Sequence, residues 1–120
     1  MNKIQALNSF WNSFGWKAYD EISVPENISF PYITYESSSD EFGYSVAQTI
    51  SLYDRSTKWT TVEEKQLSIA NAIGRGGVFV PYDGGSLWIK KASPWSQRME
   101  DIEDDSVRRI VLNIEVEFID

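Results

Sequence analysis

The sequence predicts an α+β domain in which two helices pack on a mainly antiparallel or mixed β-sheet. Three observations carry that expectation. Apolar residues recur at spacings of three and four in 3–14 and again in 61–73, strict alternation runs through the final segment, and a Gly-Gly turn separates two short β-rich runs. The order helix, strands, helix, strands then assembles these elements into one layered domain. A chain of 120 residues buries about 65% of its unfolded surface, enough for a core without disulfides or metal. No internal repeat or low-complexity tail interrupts it, so 1–120 reads as a single domain.

In the first helix, predicted over 3–14, Ile4, Leu7, Phe10 or Trp11, and Phe14 share a face, and Gly15 ends it. These aromatics are expected to pack on the sheet. Residues 16–24 alternate loosely and read as a short strand or extended arm, and a turn-rich linker follows between Pro25 and Pro31. The next strand, 30–36, carries its proline at the entry, where a missing backbone donor is tolerated. The polar stretch 37–41 reads as a loop. A longer strand over 44–53 places Tyr44, Val46, Ile50 and Leu52 on one face. Gln48 interrupts that face and is read as an edge or rim position whose amide reaches water, ahead of a subunit contact.

Thr60 with Glu63 makes a capping-box pattern, and Val62, Gln66, Ile69 or Ala70, and Ile73 keep helical spacing up to Gly74. The run Gly74-Arg75-Gly76-Gly77 has the look of a phosphate cradle, but it follows a helix instead of opening one. A helix C-cap with a flexible turn accounts for it better. Residues 78–81 and 86–90 are short strands joined by the turn 82–85, whose glycine pair supplies positive φ. In the last strand Ile110, Leu112, Ile114, Val116 and Phe118 face the core and alternate with Arg109, Val111, Asn113, Glu115 and Glu117.

Composition narrows the function. With no His and no Cys, the neutral-pH proton shuttle, the thiolate nucleophile and the usual zinc ligands are missing. Carboxylate chemistry needs two acids converging in a cleft, and no pair is marked for that. No enzyme, metal or cofactor is therefore expected. The acidic cluster 100–105 lacks the spacing of a calcium loop and is followed by Arg108 and Arg109, so it reads as a solvated loop or a salt-bridging contact between subunits. A net charge of −7 argues against gripping DNA phosphates, though not against letting DNA slide past. No apolar run reaches the ~18–20 residues that span a bilayer, and the first residues lack the apolar stretch of a signal peptide, so synthesis in the cytosol without a membrane partner is expected. Five Trp are more than so small a core readily hides. Trp59, Trp88 and Trp95 suit either a protein interface or a sugar-stacking platform.

An ordered set of short motifs adds a second line of evidence. Phe30-Pro31-Tyr32-Ile33-Thr34-Tyr35 comes first, then Ala72-Ile73-Gly74-Arg75-Gly76-Gly77, then Asp83-Gly84-Gly85-Ser86-Leu87-Trp88-Ile89-Lys90-Lys91. Ser93-Pro94-Trp95-Ser96-Gln97-Arg98-Met99, the acidic cluster, and Arg108-Arg109-Ile110 follow. The set resembles the tail terminator, or tail-completion, proteins of long-tailed phages and prophages of Gram-positive bacteria, over nearly the whole chain. Trp95 stands where that family more often has Phe, and Glu103 where Pro or a small polar residue is common.

The resemblance implies a structural role in the virion and no catalytic residues. It implies a homo-oligomeric ring, typically hexameric, at the head-proximal end of the tail. Such a ring docks on the tail tube protein, ends tube polymerisation and meets a head-completion or connector protein, while DNA passes through its lumen without specific binding. Loops on a rigid scaffold usually carry such contacts, and the interface candidates are Asp40, Glu41, Trp59, Asp83, Trp88, Trp95, Gln97, Arg98, Asp104, Asp105 and Arg108. A head-completion adaptor on the portal side and a small carbohydrate-binding module are the competing expectations.

Overall fold

The computed structural model describes residues 1–37, 45–100 and 104–119. Helix α1 (Lys3–Asn12) is started by Asn2, whose side chain accepts from the Gln5 N–H while the Gln5 side chain accepts from the Asn2 N–H, a reciprocal capping box. Strand β1 (Lys17–Asp20) and a 3-10 turn (Glu21–Ser23) follow, then β2 (Tyr32–Tyr35) and β3 (Ser45–Arg55). Helix α2 (Thr60–Ile73) leads into β4 (Val78–Tyr82), β5 (Gly85–Met99) and β6 (Val107–Ile119).

All six strands form one mixed sheet in the order β1-β2-β3-β6-β5-β4. Only β1 and β2 run parallel; the other neighbours are antiparallel. The two helices and this sheet are the expected α+β arrangement. A flat six-stranded sheet would measure about 24 Å from edge to edge, about twice the diameter of a helix. Helix α1 nevertheless packs against both edge strands, β1 and β4, while α2 lies against β3, β5 and β6. The sheet is therefore curled, with both helices on its concave face.

Alternation sorts the side chains between the faces. Ile33, Ile50, Leu52, Leu87, Ile89 and the five alternating apolar residues of β6 are fully buried on the concave side, with Leu7 and Trp11 of α1 and Val62, Ile69 and Ile73 of α2. Lys65 of α2 donates to the Phe14 carbonyl just beyond α1 at 2.5 Å, which ties the two helices together. The convex face carries Tyr32, Ser51, Tyr53, Arg109, Asn113 and Glu117, and no described element covers it.

Several local expectations are corrected. Helix α1 ends at Asn12, and Ile4 is 66% exposed because the buried stripe runs through Ala6, Leu7 and Trp11. Gln48 is only 2% exposed: β3 is an interior strand, and Gln48 pairs there with Ile114 instead of reaching water at a rim. The α2 cap is Trp59, without a side-chain hydrogen bond, and the Glu63 carboxylate is turned to Arg98 at 3.5 Å instead of closing a box with Thr60. Strand β5 runs on to Met99, because a register shift between Lys91 and Ser96 absorbs Pro94 in a bulge and pairing with β6 then resumes. The C-cap reading of Gly74 holds: its φ is 72°, and its N–H donates to the Ala70 carbonyl.

Candidate functional site

The sequence candidates fall into three places. The largest group gathers where α2 begins, at the ends of β5 and β6. Trp59 sits at the α2 cap, and two guanidiniums flank its ring, Arg98 of β5 at 4.8 Å and Arg108 of β6 at 5.5 Å. Arg98 also meets Glu63, while Arg108 donates to the carbonyls of Asp105 at 2.6 Å and Thr57 at 3.0 Å. Trp59, Arg108 and Asp105 line a cavity of ≈ 280 Å³ together with Met99, Glu100 and Val107.

Beside it, Asp104 accepts from the Ser106 hydroxyl and N–H and from Arg55, which also donates to Ser106. The two Ser106 hydrogen bonds, with Arg55 adding to them, hold the Asp104 carboxyl below its ordinary range. The result is a pair of guanidiniums, Arg108 hydrogen-bonded and Arg98 exposed, around one half-buried indole, the residue types that anchor protein interfaces. Among the described residues no three acidic side chains gather into a cation cage.

The second place is the opposite end of the sheet. Asp83, in the β4–β5 turn, takes the Met1 ammonium at 2.8 Å, and its N–H donates to the Met1 carbonyl. Trp88 lies on the convex face, stacked on Phe79 at 5.3 Å under the Lys90 ammonium at 4.2 Å. Its indole N–H donates to the Gly76 carbonyl.

The third is the β5 bulge. Trp95 is turned to the concave side, where its N–H donates at 2.7 Å to the Oε1 of Gln66 on α2, and it is half-buried against the core. Gln97 faces the other way and accepts from Asn113 at 3.3 Å. Trp59 and Trp95 thus lie on the helix side and Trp88 on the convex side, so the three do not form one sugar-stacking platform. Of the five Trp, Trp11 alone is fully buried. Asp40 and Glu41 lie outside the described residues, as does most of the predicted loop 37–41 and part of the acidic cluster.

Sequence reasoning missed Arg55 and the Tyr32–Tyr53 stack, whose rings are 4.6 Å apart. Only strand pairing brings those residues together, and no local pattern announces it. Burial, with the neighbouring Tyr53 adding to it, raises the Tyr32 hydroxyl above its ordinary pKa despite Arg109 nearby.

No family model matches the chain, and no curated protein matches it in sequence. Among solved structures, it is similar to a chain of one titled "Virion of native gene transfer agent (GTA) particle", at a TM-score of 0.60 and 18% identity. The likeness covers 98% of this chain and 91% of that one, so the fold as a whole is shared between them.

Proposed function

We propose that this protein is a structural component of a phage-like particle, and within it a tail terminator. Subunits form a ring, six to a turn, on the head-proximal end of the tail tube, end its growth and present the surface that the head-completion or connector protein meets. The observation that carries this reading is the shared fold, end to end, with a chain of a gene transfer agent virion. The ordered motif set described above supports the finer assignment to the terminator. A heterologous contact closes into a ring only when its rotation divides a circle. The Trp59–Arg98–Arg108 cluster suits that contact, because two carbonyls hold Arg108 in place beside the indole and Arg98 is exposed to a partner.

The test is to add the protein to its polymerising tail tube protein and measure tube lengths by negative-stain imaging. Tubes that stop growing and carry one capped end are expected. A length distribution unchanged at saturating protein overturns the terminator reading, and binding to isolated portal complexes in its place moves the assignment to a head-side adaptor.

A further inference from the structure

The two edges of the sheet carry features that find no match within one chain. At the β1 edge, residues 21–27 form an arm that is exposed throughout. Asp20 caps its 3-10 turn by accepting from the Ile22 N–H at 3.2 Å, and Val24 continues it in extended conformation. Ile22 is 84% exposed, more than any other large apolar side chain among the described residues, and Val24 is exposed too. A lone exposed apolar residue is ordinary. Here two of them, one residue apart, stand on an ordered arm. At the β4 edge a groove of ≈ 420 Å³ runs between that strand and α1, lined by Ala6, Ser9, Phe10, Ser13, Val80 and Pro81. Its volume is comparable to the roughly 300–1,000 Å³ of pockets that hold a ligand. Met1 also lines it, with its ammonium held by Asp83.

Neither edge is free to add a strand. On β1 the Asn12 amide takes both the N–H and the carbonyl of Ala18, at 3.0 and 3.3 Å, and on β4 the exposed Pro81 has no N–H to give. A partner at these edges is met by side chains. Charge separates the edges further. Residues 18–36 hold four charged side chains, all acidic: Asp20, Glu21, Glu26 and Glu36. Residues 2–16 and 66–82, the segments around the groove, hold two, both basic: Lys3 and the exposed Arg75.

We propose that the Ile22 arm of one copy seats in the α1–β4 groove of the next, so that copies join head to tail. An apolar knob on an acidic arm meets an uncharged groove in basic surroundings. Because the two features lie at opposite edges of one sheet, the contact is heterologous, and its repetition closes a ring when the rotation divides a circle. The inference rests on the ring reading and gives it a lateral contact separate from the Trp59 cluster.

Cysteine pairing tests it, since the chain has no Cys. Under mild oxidation, a one-to-one mixture of Ile22→Cys and Ser13→Cys should give a disulfide-linked pair, and Ile22→Cys with Thr61→Cys should not. A chain carrying both Ile22→Cys and Ser13→Cys should give a covalent ladder that runs past the dimer. In light scattering, Ile22→Asp should weaken association by about tenfold or more, with the circular dichroism spectrum unchanged because Ile22 lies outside the core. Leu67→Asp, exposed on α2, should not. Absence of the mixed pair overturns the proposal, as do Ile22→Cys homodimers in its place, which would make the contact two-fold. So does an oligomer whose mass is indifferent to Ile22→Asp; rings that persist in that variant leave the ring reading standing. Cross-linking that succeeds while tail tubes go uncapped does the reverse: the contact stands and the terminator reading falls.

Discussion

Gly77 has a φ of 87°, and a Cβ built there would meet Trp88 Nε1 at 2.6 Å and the Ile89 carbonyl at 2.7 Å. Neither obstacle can give way, since one is backbone and the other is an indole held by Gly76 and Phe79. Gly77→Ala should therefore lose about 2–4 kcal/mol in urea unfolding. Gly76→Ala, with nothing within 4 Å, should change little. At Asp104 the sign of a pH effect follows from its hydrogen bonds. With the folded-state pKa held below the ordinary value of 3.8, the stability this carboxylate contributes is present above that value and is lost as pH falls through the lower folded one. The gap in urea midpoint between wild type and Asp104→Asn should be open at neutral pH and close on acidification below the usual carboxylate range. A gap that persists unchanged at the acid end would refute this.

At the scale of elements, a half-buried polar contact adds to the core packing and the Arg98–Glu63 pair that hold β5 to α2. Gln66 is 6% exposed, and its Oε1 takes the Trp95 N–H. Trp95→Phe leaves that amide short of a partner and should cost about 1–3 kcal/mol. Adding Gln66→Leu should recover much of the loss, and a double-mutant cycle measures the coupling. The same elements show what could be read in advance. Helix α2 was legible because its four buried residues keep helical spacing, and β6 because five buried residues alternate without a break. Strand β5 was legible only in its first part, 86–90, since Ser93, Pro94 and Ser96 look like a loop and only pairing with β6 recovers them as a bulged strand. The burial of Gln48 was not, because the strand order that makes β3 interior is a property of the whole sheet.

For the molecule as a whole, the Trp59 cluster joins residues about 40 and 50 positions apart, so its members were visible one by one and their meeting was not. The exposed Arg98 gives the sharpest test of what that cluster does: Arg98→Glu should leave the circular dichroism spectrum unchanged and abolish capping of tail tubes. Retained capping would put the tube contact elsewhere on the surface. The strand order carries a further consequence, for how the protein is made. The sheet's middle is supplied by β6, which follows the other five strands in chain order and pairs with β3 on one side and β5 on the other. A nascent chain still held short of residue 107 has two half-sheets with bare edges, bridged only by the helices. Helix α1, which packs against both β1 and β4, spans that gap. Completion of the sheet therefore waits for β6, and until it arrives the unpaired strands are what a chaperone must shield.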